Sequence, residues 1–212
     1  MDFQNTIQNY SNIFWDFDGV IKESIEIKKR AFVALFSGHN PWTLKKIEKH
    51  HADNGGMSRY EKFPLYLSWT NQDVNDEIIN YLDQKFRSTV VNAVINSEWV
   101  PGVDIFLSKN KYKQDFYLVS ATPQYEIEEI IEALGMSKVF KKIYGSPKNK
   151  IEAISSVIKD NDLKITDCIM IGDSISDYEA AKENKIAFIL RRNSYNKNWT
   201  KKYNGYIVNN FI

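Results

Sequence analysis

Ile13-Phe14-Trp15-Asp16-Phe17-Asp18-Gly19-Val20 is an apolar run that ends in two carboxylates, with one aromatic residue between them and a glycine after them. Its first half predicts a buried strand, and its second half puts chemistry at the strand's end. Alternate residues of a strand share a side, so Asp16 and Asp18 would face the same way if the strand ran on; Gly19 predicts a turn at the second carboxylate instead. Two acids on one small patch repel each other. A divalent cation, a shared proton or a cationic partner usually offsets that repulsion. Taken alone the stretch also reads as a strand end with an ordinary Asp-Gly turn, so its neighbours along the chain decide.

From Pro101 onward short apolar strands alternate with helical stretches, the pattern of a parallel sheet with crossover helices. Phe116–Val119, Lys142–Tyr144, Cys168–Ile171 and Ala187–Leu190 read as strands. Between them, Tyr125–Leu134, Lys148–Lys159 and Ile175–Glu183 read as helices. The run from Ile13 belongs with these strands by composition. The tail from Arg192 to Gly205 is polar, with a weak edge strand expected at Tyr206–Val208.

Between the first strand and this series the chain changes character. Ser24–Phe36, Pro41–His51 and Val74–Ile95 place apolar residues at helical spacing, and the aromatic-rich Ser58–Trp69 continues the helical run. The expected fold is therefore an α/β protein: a discontinuous Rossmann-like parallel-sheet core, residues 1–22 and 98–212, with an all-helical domain, residues 23–97, inserted after the first strand.

At 212 residues, 43% hydrophobic and 26% charged, the chain can bury a sizeable core. Lys and Arg number 28 against 27 Asp and Glu, so no global basic excess points to nucleic acid. The one cysteine, Cys168, sits in an apolar run and reads as a core thiol. No basic start with an apolar segment follows Met1, and no stretch approaches a membrane span; the expected compartment is the cytoplasm.

Active crevices of parallel α/β sheets lie beyond the carboxyl ends of the strands. Four strand ends here carry chemistry: Asp16 and Asp18; Ser120, Ala121 and Thr122; Lys148 and Lys150 at a helix start; and Gly172-Asp173-Ser174-Ile175-Ser176-Asp177. Asp16 and Asp173 are hard oxygen ligands of the kind Mg²⁺ prefers, and the Ser120 hydroxyl with a lysine and helix N-terminal amides would hold phosphoryl oxygens. A carboxylate nucleophile repels a phosphate dianion unless a metal and a lysine screen it, so the parts belong together.

These residues resemble the four motifs of the haloacid dehalogenase superfamily, in its aspartate-nucleophile phosphatase branch with a helical cap, which includes phosphoglycolate phosphatases and β-phosphoglucomutases. The resemblance implies an Mg²⁺-dependent phosphatase acting on a small phosphorylated metabolite such as a sugar phosphate, with no nucleic acid or membrane partner and an open oligomeric state. By position, Asp16 resembles the nucleophile, Asp18 the general acid whose carbonyl also meets the metal, Ser120 the phosphoryl-binding hydroxyl, Asp173 the metal ligand and Asp177 its supporting acid. Gly19, Ala121, Thr122 and Ser174 fall in the loops expected to touch the phosphoryl group. Lys148 and Lys150 both fit the third motif, and Lys150 holds the position usual for Gly-Ser-Pro-x-x-Lys. The acid at position 18 argues against dehalogenation, which has no leaving oxygen to protonate.

The insert resembles a cap that closes over the site. Ser58 followed by Glu61 is a capping box after the paired glycines Gly55-Gly56, and Arg59 is either a solvated first-turn residue or a ligand for an anionic or polyol leaving group. His50 and His51 are expected on the cap surface or in a loop, with Glu23 and Lys28 at the hinge or pocket. The alternative activities are a phosphosugar mutase of the β-phosphoglucomutase type and, with a faint Schiff-base option at Lys28, a phosphonatase; a non-catalytic binder is the remaining class.

Overall fold

A computed structural model describes residues 3–212. In chain order its elements are α1 (Phe3–Ile7), β1 (Asn12–Trp15), α2 (Ile25–Leu35), α3 (Pro41–Asp53), α4 (Arg59–Trp69), α5 (Asp76–Ile95), α6 (Val103–Lys109), β2 (Asp115–Pro123), α7 (Gln124–Ala133), β3 (Lys142–Ser146), α8 (Lys150–Asp160), β4 (Cys168–Gly172), α9 (Ile175–Glu183), β5 (Ala187–Arg191), α10 (Lys197–Thr200) and β6 (Tyr206–Val208). The six strands form one parallel sheet in the order β3-β2-β1-β4-β5-β6. It is a Rossmann-like core with helices on its faces.

β1 is central because all four of its residues are buried. Ile13 and Trp15 pack on one face with Phe116, Leu118, Ile169 and Ile171. Phe14 packs on the other with Tyr117, Val119 and Met170. Both faces of a parallel strand are covered, which is why the run is continuously apolar rather than alternating. Cys168 is a member of that second cluster, and burial pushes its thiol up to about 11.

Strand order reverses at β1: β2 and β3 lie to one side, and β4, β5 and β6 to the other. Such a switch point opens a crevice at the carboxyl ends of the two diverging strands. Asp16 follows β1 there, its amide donating to the Ile171 carbonyl at 3.0 Å. Asp173 follows β4 on the same edge.

The expected helices are present with boundaries moved by a few residues, and α1, α6 and α10 are additions the sequence pattern did not give. All three are seven residues or shorter, too short to show a helical period. Ser120 lies inside β2 rather than after it, because the strand does not end at Val119 as expected. β2 runs on through Pro123, its pairing with β3 slipping in register between Val119 and Pro123, and α7 starts after that. Four helices, α2 to α5, occupy the chain between β1 and α6. Among the described residues no helix is long and apolar enough to cross a membrane.

Candidate active site

The loop after β1 is shaped by backbone hydrogen bonds before any side chain acts. The Phe17 carbonyl accepts from Val20, Ile21 and Lys22 amides, and the Gly19 amide donates to the Lys22 carbonyl at 2.8 Å. Gly19 adopts φ +76°, and a Cβ there would lie 2.4 Å from Asp173 Oδ2. Only glycine lets the first-motif loop turn and approach the second carboxylate pair so closely. Arg191, at the end of β5, secures the exit of this loop: its guanidinium donates to the Gly19 carbonyl at 3.0 Å and pairs with Glu23.

Asp16, Asp173 and Asp177 are all buried, and each offers an oxygen within 4.8 Å of the others'. Lys150, the first residue of α8, donates to Asp16 Oδ1 at 2.6 Å and also to Asp177 Oδ1. One cation thus pairs with two of three clustered acids, and the carboxyls of Asp16 and Asp173 shift upward. Burial, then the charge of Asp177, raises the Asp16 carboxyl to about 7 against the pull of Lys150. Burial, then Asp16, raises Asp173 well above the carboxylate range. For Lys150, burial works to lower the pKa, but Asp16 and Asp177 overcome it and raise it.

This donor set fits a hard divalent cation: three carboxylates in one small space, two of them held above their usual pKa by burial and then by repulsion from their neighbours, both of which a cation would offset. The oxygens are not equivalent. Asp177 Oδ2 accepts from the Asp173 and Ser174 amides and the Ser174 hydroxyl, as part of the capping box that starts α9, while its Oδ1 faces Lys150. Its lone pairs are engaged, so it supports the site from behind. Lys150 takes one oxygen of Asp16 and Asn193 one oxygen of Asp173, at 2.5 Å, which leaves each carboxylate an oxygen for a metal.

Asp18 sits in a different environment. Ser24 Oγ donates to its Oδ1 at 2.6 Å, Lys28 Nζ to its Oδ2 at 2.5 Å, and Thr122 Oγ1 to the same oxygen at 3.3 Å. Burial favours the neutral acid, but the charge and hydrogen bond of Lys28, with that of Ser24, outweigh it and hold the carboxyl below its usual range. The two aspartates of the first motif are therefore driven in opposite directions by their partners. Lys28 lies in α2 and bridges Asp18 to Thr122 Oγ1 at 2.7 Å, tying α2 to the loop after β1 and to β2.

These groups open onto a cavity of about 330 Å³, whose walls include Asp16, Asp18, Ala121, Thr122, Lys150, Asp173 and Ser174 from the sheet side and Lys28, Phe32, His51, Met57, Arg59 and Lys62 from the stretch α2 to α4. Ser120 is buried beside it, its Oγ accepting the Thr122 amide at 3.1 Å. Of the two candidate lysines, Lys150 reaches Asp16, whereas Lys148 donates to Ser156 at 2.8 Å and lies over the Tyr144 ring. Arg59 is neither solvated nor free. It is buried, pairing with Asp83 at 3.1 Å and with the fully buried Glu126 of α7. His51 is corrected from the surface to the cavity wall, 5% exposed, because α3 turns it inward against Phe32.

Sequence reasoning passed over Lys62, Asn193, Asn196 and Arg191. Asn196 holds the Asp173 carbonyl at 2.8 Å and the Arg191 carbonyl at 2.8 Å, and its place in a polar tail gave no sign of this. Lys62 did carry a signal: residues 59, 62, 63, 66 and 67 form one buried stripe of α4, so two cations occupy core positions of an amphipathic helix.

A family model described as haloacid dehalogenase-like hydrolase matches residues 13–190. The chain belongs to that family. It is accordingly a hydrolase, and solved structures share its fold over nearly their whole length. CbbY from Rhodobacter sphaeroides, solved with xylulose-(1,5)bisphosphate, is 16% identical with TM-score 0.77, covering 95% of each chain. A predicted phosphoglycolate phosphatase from Haemophilus somnus is 15% identical with TM-score 0.73, covering 96% of this chain and 95% of that one. The β-phosphoglucomutase of Clostridium difficile is 19% identical with TM-score 0.73, covering 95% and 92%. No curated protein matches at the level of sequence.

Proposed function

We propose that this hydrolase is an Mg²⁺-dependent phosphomonoesterase that cleaves a small phosphorylated metabolite through an aspartyl-phosphate on Asp16. The observation that carries the reading is the opposed environment of the two first-motif aspartates: Asp16 among carboxylates and Lys150, Asp18 among Ser24, Lys28 and Thr122. Asp16, Asp173 and the Asp18 carbonyl would hold Mg²⁺, with Asp177 behind them. When bound, the ion would neutralise charge on the phosphoryl oxygens and on the acids. In the first step an Asp16 oxygen forms the new P–O bond as the ester P–O bond breaks, and Asp18 gives the leaving oxygen its proton. In the second step Asp18 takes a proton from water as its oxygen attacks the phosphorus, freeing Asp16 and phosphate.

Lys150 would keep Asp16 in line and screen it from the incoming dianion, and Ser120 and Thr122 would meet phosphoryl oxygens at the end of β2. Lys28 favours the ionised Asp18, the form that activates water; the acid form requires Lys28 to release it as substrate enters. We assign residues 23–97 as a cap on the core formed by residues 1–22 and 98–212. Cavity walls drawn from both parts support a cap that closes to exclude water.

Release of phosphate from p-nitrophenyl phosphate tests this reading. The expected result is activity that needs added Mg²⁺ and falls by at least about a thousandfold in Asp16→Asn. Activity that survives either change would overturn it. The neighbours on this scaffold include a phosphosugar mutase, so a second arm uses hexose 1-phosphate with a bisphosphate primer. Isomerisation faster than phosphate release would replace hydrolysis with phosphoryl transfer.

A further inference from the structure

Four cations line the buried part of the cavity, and three of them are already matched by carboxylates. Lys150 faces Asp16 and Asp177, Lys28 faces Asp18, and Arg59 faces Asp83 and Glu126. Lys62 is the exception. It is 1% exposed, yet among the described residues no carboxylate lies within ion-pair distance of its ammonium. Its neighbours are His51 Nδ1 at 3.1 Å and the Phe32 ring at 5.3 Å. A buried charge without a counter-ion is among the most unfavourable arrangements a fold can keep, and replacing it with an apolar side chain is commonly stabilising.

The surroundings of Lys62 supply one neutral acceptor and a ring but no counter-charge. His51 is itself buried, and desolvation with the charge of Lys62 keeps its imidazole well below the usual pKa, so it is neutral and its Nδ1 accepts one N–H. An ammonium has three N–H groups, so two remain for another partner. Phe32 on one side and Phe86 in the same wall exclude water and strengthen whatever electrostatic contact is made there. The insert thus presents one uncompensated cation to the cavity that the Asp16 site opens into.

The geometry points to Lys62 as the residue that recognises an anionic group, a carboxylate or second phosphate, on the leaving-group half of the substrate. This deepens the phosphomonoesterase reading and rests on it. The phosphoryl end is served by Lys150 and the carboxylate cluster, and a volume of about 330 Å³ suits a metabolite of a few carbons with a second charged end. Arg59 does not take this part, because its two carboxylates already satisfy it.

Paired substrates that differ in one charge give the test: 3-phosphoglycerate against glycerol 3-phosphate, and fructose 1,6-bisphosphate against fructose 6-phosphate. For at least one pair, kcat/KM of the wild type is expected to favour the more anionic member by about tenfold or more. In Lys62→Met that ratio collapses towards one, and Lys62→Arg restores part of it. Binding of the same pairs to Asp16→Asn with and without Lys62→Met, followed by calorimetry, reads the preference without turnover. Wild type with no preference in either pair would overturn the inference, as would Lys62→Met lowering both members of a pair equally. If p-nitrophenyl phosphate is hydrolysed with Mg²⁺ and Asp16 dependence while the ratios stay flat, the inference about Lys62 alone fails. If p-nitrophenyl phosphate and all four metabolites stay intact, the phosphatase reading fails and takes this one with it.

Discussion

The buried cations of the cavity fall into three whose charge is met by carboxylates and one, Lys62, whose charge is not, and the difference is measurable. Burial, and then the nearby Lys28, lowers the Lys62 amine to about 7, with Asp18 and Glu61 opposing weakly. Below pH 7 the folded and unfolded chains both carry this proton, and the folding penalty is full. From about 7 to the ordinary value of 10.5 the unfolded chain binds more protons, so stability rises with pH, by up to ~1.4 kcal/mol per unit. Urea unfolding of Lys62→Met should therefore show the variant more stable than wild type below pH 7, with the gap closing as pH approaches 10.5. A gap that does not change with pH would mean the amine keeps its proton. Asp177 makes a second prediction at this scale: Asp177→Asn removes the charge facing Lys150 while leaving an acceptor for the start of α9. Phosphatase activity should fall by roughly 10- to 100-fold with circular dichroism unchanged; full activity would show that Lys150 needs no second acid.

The elements that meet over the cavity are joined at separate points, each with its own physics. Gly56, in the loop between α3 and α4, comes so close to the start of α9 that a Cβ would lie 1.8 Å from Ser176 Oγ. Gly56→Ala forces that loop away, and KM should rise several-fold with a smaller change in kcat; an unchanged KM would show that the loop need not close. Arg59 of α4 and Glu126 of α7 form a link in which Glu126 is wholly buried and its Oε2 has no hydrogen bond. Arg59→Met should destabilise the fold by about 3–5 kcal/mol by stranding that charge, and Glu126→Leu on top should recover most of the loss. Additive losses in thermal unfolding would contradict a coupled pair. The sequence made β1, β4 and the long helices legible because burial on both faces and three-and-four spacing are local patterns. The Arg59 link was not legible, since a first-turn arginine looks the same in sequence whether it faces solvent or an acid on another element. Lys62 could have been read from its place in the apolar stripe with Phe63, Tyr66 and Leu67.

Across the whole molecule, the sheet brings together what the chain spaces far apart. Asp16, Lys150 and Asp173 meet because β1 and β4 pair and diverge at the switch point, and α8 starts beside them. That convergence was readable from strand-end positions, whereas the roles of Asn193 and Asn196 depend on the turn after β5, which has no periodic signature. Helices α2 to α5 and their loops contribute about half the cavity wall, so in the proposed reaction two parts of the protein work on one phosphoryl group. That group passes through Asp16. Rapid acid quenching during turnover of p-nitrophenyl phosphate, followed by peptide mass spectrometry, tests it most directly. The expected result is a phosphoryl adduct on the peptide carrying Asp16, formed and lost at rates compatible with turnover and missing from Asp16→Asn. Full turnover with no covalent adduct, or an adduct on another residue, would contradict it.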